Sequence, residues 1–313
     1  MARIMDGHAL AEGIREKVRE DIEKLRQYGL EVGLGLLLVG ENPASIQYFH
    51  ATEKACSKVG VTTYRYRLPE SASLNEILNV VHSVNRDERV NGLLILFPLP
   101  PRINARRVVN EIAPEKDIDG LGSLSVGRLA ADESTFQIFK EGYYEMLYEC
   151  RFMPTVSSFL PCTPFGVIRL LEHYGAAIRG KHAVVIGKSL AVGKPLSLML
   201  LAKEATVTVC HRETRDLGAF TRQADIICSA TGVQGLITGD MVKEGAVVVD
   251  IGINVLGDGS IVGDVDFESV EKKASFITPV PGGVGPVTIA MLLENTVRSA
   301  QRNEFLKSPF MPG

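Results

Sequence analysis

The sequence predicts an α/β fold of two wound domains, each a parallel sheet whose strands are joined by crossover helices. Two observations carry this. Apolar runs of strand length alternate with amphipathic stretches, and the alternation breaks once before restarting at a glycine-bearing turn after Lys181–Ile186. A chain of 313 residues is long enough to bury two cores of that size.

Taken in order, Gly7 to Tyr28 places Leu10, Ile14, Val18, Ile22 and Leu25 at helical spacing, with Gly29 as the stop. Val32 to Val39 is continuously apolar apart from its glycines, as a strand buried on both faces must be. A helix from Ala44 to Val59, a strand at Thr62 to Arg67, a helix at Leu74 to Asn85 and a strand at Gly92 to Leu96 follow. In the second half, Lys181 to Ile186, Thr206 to Cys210, Asp225 to Cys228 and Ala246 to Asp250 are short buried strands, and a helix ends near Ala202. That spacing predicts a doubly wound, dinucleotide-type domain.

Between the two halves, Ala131 to Phe159 fits neither pattern. Phe136, Phe139, Tyr143, Leu147 and Cys150 follow helical spacing, with Lys140, Glu141, Glu145 and Glu149 between them. Exposed, such a stripe makes an interface or a lid; packed, it is the core face of a helix on its own domain. The sequence leaves both open. The expected division is 1–159, with 131–159 inserted, then 160–283 as the dinucleotide domain, then 284–313 as a C-terminal helix returning to the first domain.

Composition narrows the function classes. The chain is 45% hydrophobic and 23% charged, with a formal net charge of -3, which gives no reason to expect nucleic acid as a partner. The longest apolar runs, Val32 to Val39 and Val90 to Phe97, are strand-sized, so no membrane span is expected. Met1 to Gly7 lacks the basic and apolar regions of a secretion signal. Five cysteines without C-x-x-C spacing (Cys56, Cys150, Cys162, Cys210, Cys228) read as reduced thiols of a cytoplasmic protein, with no metal site.

The turn out of Lys181–Ile186 reads Gly187-Lys188-Ser189-Leu190-Ala191-Val192-Gly193-Lys194-Pro195. Glycines at 187 and 193 let backbone approach a pyrophosphate at the start of the following helix. By spacing alone, an ordinary strand-to-helix turn reads equally well. The second strand of this half ends in Cys210-His211-Arg212-Glu213-Thr214, where a wound sheet meets the adenosine ribose. An acid there favours NAD and a cation favours the 2′-phosphate of NADP. Lys188 and Arg212 supply cations and Glu213 opposes them, so NADP is expected, with NAD as the alternative.

Four further stretches are more specific. They are Ser45 to Lys54, Glu115-Lys116-Asp117-Ile118-Asp119-Gly120, Pro161-Cys162-Thr163-Pro164, and Thr278-Pro279-Val280-Pro281-Gly282-Gly283-Val284-Gly285-Pro286-Val287-Thr288. Together with the loop at 187–195, where only Lys188 departs from the family's arginine, they resemble the tetrahydrofolate dehydrogenase/cyclohydrolase family over nearly the whole chain except Ala131 to Phe159. The resemblance implies a folate-binding catalytic domain, a Rossmann-type NAD(P) domain, a cleft between them, a tetrahydrofolate substrate and a homodimer. It implies that Tyr48 and Asp119 meet the pterin and that Pro281, Gly282 and Gly283 border the substrate. It places Gly187, Lys188, Ser189, Val192, Gly193, Pro195, His211, Arg212, Thr231, Gly232, Ile253 and Thr288 at the cofactor. Read without it, Asp119 is a turn residue before a glycine, and Pro281 to Gly283 is either a path for a flat ligand or a tight linking turn.

Two positions depart from the family at its catalytic corner. The family carries a lysine four residues after the tyrosine and a glutamine that contacts it; here Thr52 and Leu96 stand in those places. Tyr48 and Thr52 share a helix face and are expected to point into the same cleft. Lys54 lies roughly 200° further round and does not replace the lysine. In the family the lysine serves cyclohydrolysis, and the loss of both partners resembles the monofunctional dehydrogenases. Hydride transfer from 5,10-methylenetetrahydrofolate is helped by the substrate's own nitrogen lone pair and needs mainly positioning. Water addition to the methenyl product needs a positioned acid/base group, which accelerates it roughly 10²–10⁴-fold. The expectation is a dehydrogenase whose cyclohydrolase activity is weak or absent. A bifunctional enzyme using His50 or Lys54, and a folate- or nucleotide-binding protein without turnover, are the alternatives.

Overall fold

The structure, a computed structural model, describes residues 1–131 and 158–307 and divides into two compact units. The aromatic stretch read as an insertion falls largely on 132–157, outside the described residues, and Cys150 with it.

One unit holds Glu12–Arg128 and the C-terminal segment from Ile289. Its sheet has three parallel strands in the order β3-β2-β4, where β2 is Gly33–Val39, β3 is Thr62–Leu68 and β4 is Gly92–Ile95. β2 lies in the middle and every residue of it is buried, which is why it is apolar without alternation. Helix α1 (Gly7–Gln27) buries Ile14, Val18, Ile22 and Leu25, the stripe read from spacing. Helix α2 (Pro43–Val59) starts where the Asn42 side chain accepts a hydrogen bond from Ser45 N at 3.1 Å, with Pro43 in the first turn. It ends at Gly60, whose φ of 87° suits only glycine. Ser45 Oγ then donates to Phe97 O at 2.8 Å and ties α2 to the segment after β4. Helix α3 (Leu74–Arg86) opens on a capping box between Ser73 and Glu76. Shorter helices α4 (Ala105–Asn110) and α5 (Ser123–Ala131) follow.

The other unit holds Met1–Ala11 and Pro161–Thr288. Its six parallel strands run β1-β11-β8-β7-β5-β6. Here β1 is Arg3–Ile4, β5 His182–Ile186, β6 Thr206–Cys210, β7 Ile226–Ser229, β8 Val247–Asp250 and β11 Phe276–Ile277. A separate hairpin pairs β9 (Asn254–Val255) with β10 (Ile261–Val262). Val184, Ile186, Ile227, Val248 and Ile277 form the core of this unit. Helices α6 (Cys162–His173), α7 (Gly193–Ala202), α8 (Leu217–Thr221) and α9 (Phe267–Val270) cover the strands.

The division expected at 1–159 is corrected at its start. Arg3 and Ile4 pair with Phe276 and Ile277, and Met5 N donates to Ile277 O at 2.8 Å, so the first eleven residues belong with the six-stranded sheet. Two-residue strands are too short to show a period. The boundary expected at 283 also moves, because it falls after Thr288, inside helix α10 (Val284–Lys307). Past that point α10 does pack on the three-stranded unit. Asn295 Nδ2 donates to Ile118 O at 2.8 Å and Leu160 O at 3.3 Å, and Ser299 Oγ lies 2.6 Å from Asn91 O.

Candidate active site

Strand β5 is flanked by β6 on one side and β7 on the other, so chain order reverses there. Ile186 is in register with Cys210 and with Ser229, and Ser229 with Asp250. The segments after these strands, beginning at Gly187, His211, Ala230 and Ile251, therefore line one sheet edge at a topological switch point, where wound sheets bind ligands. The sequence-expected residues Gly187, His211, Thr231 and Ile253 come together on that edge.

The loop at 187–193 is built by close backbone contact. A Cβ at Gly193 would stand 1.9 Å from Gly187 O, and one at Gly187, where φ is 113°, would stand 2.4 Å from Ala230 O. Ser189 Oγ accepts from Val192 N at 3.1 Å and Gly193 N at 3.3 Å, shaping the turn into α7. Pro195, in the first turn of α7, is buried and gives up an N–H that has no helical partner there. Lys188 and Ser189 are exposed. The cradle and the helix start fit a pyrophosphate. Arg212 and Glu213 are both exposed and pair with each other, Nε to Oε1 at 2.9 Å, so the acid read as opposing the 2′-phosphate is engaged by its neighbour. Gly232 takes a φ of 69° and is exposed.

At the other end of this edge, Thr278 Oγ1 accepts from Asp250 N at 2.7 Å and anchors the Pro279–Gly283 turn. Pro281 is exposed and Gly282 half-buried. A Cβ at Gly283 would lie 2.6 Å from Pro279 O, one at Gly7 would lie 1.8 Å from Gly283 O, and Gly7 N donates to Gly282 O at 2.8 Å. The protein's own backbone thus uses the space left at Gly283, which accounts for that glycine as a tight turn. Thr288 is buried, with its hydroxyl 3.2 Å from Val284 O and 3.4 Å from Thr163 Oγ1.

In the three-stranded unit Tyr48 is half-buried on α2, and Thr52, expected on the same helix face, is buried. Thr52 is 0% exposed and donates its hydroxyl back to Tyr48 O at 2.8 Å, the usual way a helical threonine satisfies itself. Its one proton is committed. Leu96 is 1% exposed and offers only hydrocarbon. His50 and Lys54 are exposed; His50 Nδ1 lies 3.3 Å from Glu53 Oε2, while the other oxygen of that carboxylate, Oε1, pairs with Arg65.

Of the two aspartates in the 115–120 loop, Asp119 is half-buried and Asp117 is buried. Asp117 accepts from Leu121 N at 3.1 Å, Gly122 N at 3.0 Å and Ser125 Oγ at 2.6 Å. Burial outweighs these hydrogen bonds and pushes its carboxyl up to about 6. Lys116 is 5% exposed and donates to Val84 O at 2.7 Å and Asp87 O at 2.8 Å, closing the end of α3. Its burial lowers its pKa. Asp117 and Lys116 therefore fix the loop that presents Asp119. Asp117→Ala is expected to cost roughly 2–4 kcal/mol, since it strands three buried donors. Chemical denaturation at pH 7 measures this, and unchanged stability would contradict the assignment.

Sequence reading missed Asp250 and Asp264, two buried carboxylates behind the cofactor edge. Asp250 accepts from Gly252 N, Asp264 N and Val265 N at 2.9–3.0 Å. Burial, helped by the charge of Asp264, raises its carboxyl to about 6 against those bonds. Asp264 directly follows Gly263 and Asp250 stands two residues before Gly252, patterns indistinguishable from ordinary turns.

The fold and the glycine cradle define a class: a two-unit α/β protein with a glycine-built strand-to-helix turn at the switch point of a parallel sheet, where wound folds bind ligands. Residues 5–119 match the catalytic-domain model of tetrahydrofolate dehydrogenase/cyclohydrolase, and residues 161–304 match its NAD(P)-binding domain. The chain belongs to the tetrahydrofolate dehydrogenase/cyclohydrolase family. It is 46% identical over 301 residues to the bifunctional protein FolD of Moorella thermoacetica, covering 96% of this chain and 99% of that one. It resembles the crystal structure of the bifunctional FolD dehydrogenase/cyclohydrolase of Campylobacter jejuni, at 46% identity and a TM-score of 0.85, over 97% of this chain and all (100%) of that one. A 5,10-methylenetetrahydrofolate dehydrogenase from the silkworm, Bombyx mori, is 38% identical with a TM-score of 0.80, over 97% and 99%. Among the described residues no helix is long and apolar enough to cross a membrane.

Proposed function

We propose that this protein oxidises 5,10-methylenetetrahydrofolate to the methenyl form with NADP⁺ and hydrolyses that product weakly or not at all. Family membership supports the first half. The observation that carries the second is Thr52, buried with its only proton donated to Tyr48 O, where the family resemblance expects a lysine. Leu96, where the glutamine is expected, can neither donate nor accept.

The bound dinucleotide supplies the carbon that receives the hydride. The chain's contribution is placement: the 187–193 cradle seats the phosphates, and Asp119 accepts hydrogen bonds from the pterin. Tyr48 orients the same ring. Holding two reactants face to face supplies several kcal/mol without any proton moving on the protein. Hydrolysis requires activated water and proton transfer, and neither position 52 nor position 96 can serve it. A bifunctional enzyme is the second reading, favoured by the FolD relatives at 46% identity.

Following nicotinamide reduction by absorbance, with NADP⁺ and NAD⁺ in parallel and methylenetetrahydrofolate as donor, tests the redox half. No reduction with either would sink it. Lys188 and Arg212 set the preference for NADP⁺. Replacing either with alanine is expected to raise KM for NADP⁺ about tenfold, the effect of losing one charge-assisted contact. KM for NAD⁺ should stay within about twofold of the original, because NAD⁺ lacks the phosphate that makes the contact. Equal losses for both dinucleotides would argue against a 2′-phosphate contact.

A further inference from the structure

One carboxylate outside the glycine cradle joins two segments of the same sheet edge. Asp264 is 0% exposed and five donors converge on it. Oδ2 accepts from Ser229 Oγ at 2.9 Å, Thr231 N at 2.7 Å and Thr231 Oγ1 at 2.9 Å. Oδ1 accepts from Val233 N at 3.1 Å and Asn254 Nδ2 at 3.3 Å. Ser229 ends β7 and Asn254 lies just beyond β8, so one side chain clamps the loops that follow both strands. Gly252 packs directly on it, since a Cβ there would lie 2.0 Å from Oδ1. Asp264 is held in turn by Asp250, which accepts its amide at 3.0 Å; a Cβ at Gly263 would meet Asp250 Oδ2 at 1.8 Å.

The clamped loops carry two apolar side chains that the fold leaves out of its core. Val233 and Ile253 are each 51% exposed, both on the β7–β8 side of β5. Large apolar groups held outward on a rigid frame, at the edge where a wound sheet binds its ligand, suit a flat ring. A neutral amide of the same shape cannot replace the carboxylate. It offers one acceptor oxygen, and whichever way it turns its NH₂ faces donors.

We propose that Asp264 is a positioning residue for dinucleotide binding: it fixes the 230–233 and 251–254 loops in one arrangement and so sets where Val233 and Ile253 meet the cofactor's ring. This rests on the NAD(P) reading of the site. It adds a residue whose effect is on cofactor affinity and not on the folate side.

The test uses the full chain with Asp264→Asn and the milder Ser229→Ala, which removes one of five donors. NADP⁺ binding is measured by calorimetry, methylenetetrahydrofolate KM by activity, and amide exchange in the absence of dinucleotide by mass spectrometry. Ser229→Ala should weaken NADP⁺ several-fold and Asp264→Asn roughly 10–100-fold, as loss of preorganised geometry does. Exchange should quicken in 229–235 and 250–256 while the folate KM stays within about twofold, since positioning is confined to the cofactor side. If Asp264→Asn does not fold, Ser229→Ala decides. Wild-type NADP⁺ affinity in a folded variant whose loops exchange faster, or equal losses for folate and NADP⁺, would overturn the proposal. Failure of the unmodified protein to bind NADP⁺ would instead overturn the dinucleotide reading, and loop exchange would still show whether Asp264 fixes the frame.

Discussion

The Thr52→Lys, Leu96→Gln double variant is expected to hydrolyse methenyltetrahydrofolate at least about tenfold faster than the unmodified protein, part of the roughly 10²–10⁴-fold that a positioned acid/base group supplies. The two changes are expected to work only together. Position 52 is 0% exposed, so a lysine placed there alone is a desolvated ammonium without a partner and destabilises the three-stranded unit by several kcal/mol. A glutamine at 96, which contacts that lysine in the family, offers a carbonyl to the ammonium. The same desolvation lowers the lysine's pKa towards neutrality, where it can exchange a proton with water. Thr52→Lys alone should therefore lower the melting temperature with little gain in hydrolysis, and Leu96→Gln alone should gain none. Hydrolysis assays beside thermal melts read all three variants. No gain in a folded double variant would mean that the two positions do not limit hydrolysis.

Gly193→Ala should have the largest effect on the redox reaction. Its Cβ would stand 1.9 Å from Gly187 O, 2.5 Å from Gly187 C and 3.0 Å from Lys188 Cα. All three are backbone atoms, so no side chain can swing aside. Gly187 cannot yield easily, because its own backbone is pinned at a positive φ against Ala230 O. The loop must open by more than an ångström, which costs roughly 10²-fold in dinucleotide affinity. It also costs about 1–3 kcal/mol of stability, as overpacking does. Calorimetric titration with NADP⁺ measures the first and denaturant melts the second. An alanine variant that binds as well as the original would show that the cradle is not the phosphate site.

Most of this architecture is legible in the sequence wherever a period or a cap is long enough to be seen. The stripe of α1, the unbroken apolar run of β2 and the strand-to-helix turn at 187–193 each announce themselves locally. What stays hidden is set by contacts between residues far apart in the chain. The pairing of Arg3–Ile4 with Phe276–Ile277 moves eleven residues from one unit to the other, and two residues carry no periodicity. Asp264 gathers donors from residues 229 to 254 and is invisible as anything but an aspartate after a glycine. Asp117 and Asp119 read alike in sequence, and only burial separates the aspartate that builds the loop from the one the loop presents. Thr52 shows the same limit in reverse. Helix geometry places it correctly beside Tyr48 along the chain, while the back-bond to Tyr48 O that consumes its proton depends on local packing.

We propose that placement alone sustains the hydride step while Thr52 and Leu96 leave water addition unassisted. It is tested most directly by measuring, on one purified preparation, the initial rate of methenyltetrahydrofolate disappearance with and without protein, beside the rate of NADP⁺ reduction by methylenetetrahydrofolate. Rapid reduction is expected, with a hydrolysis rate indistinguishable from buffer. Hydrolysis that keeps pace with reduction would contradict it and return the protein to the bifunctional class of its FolD relatives.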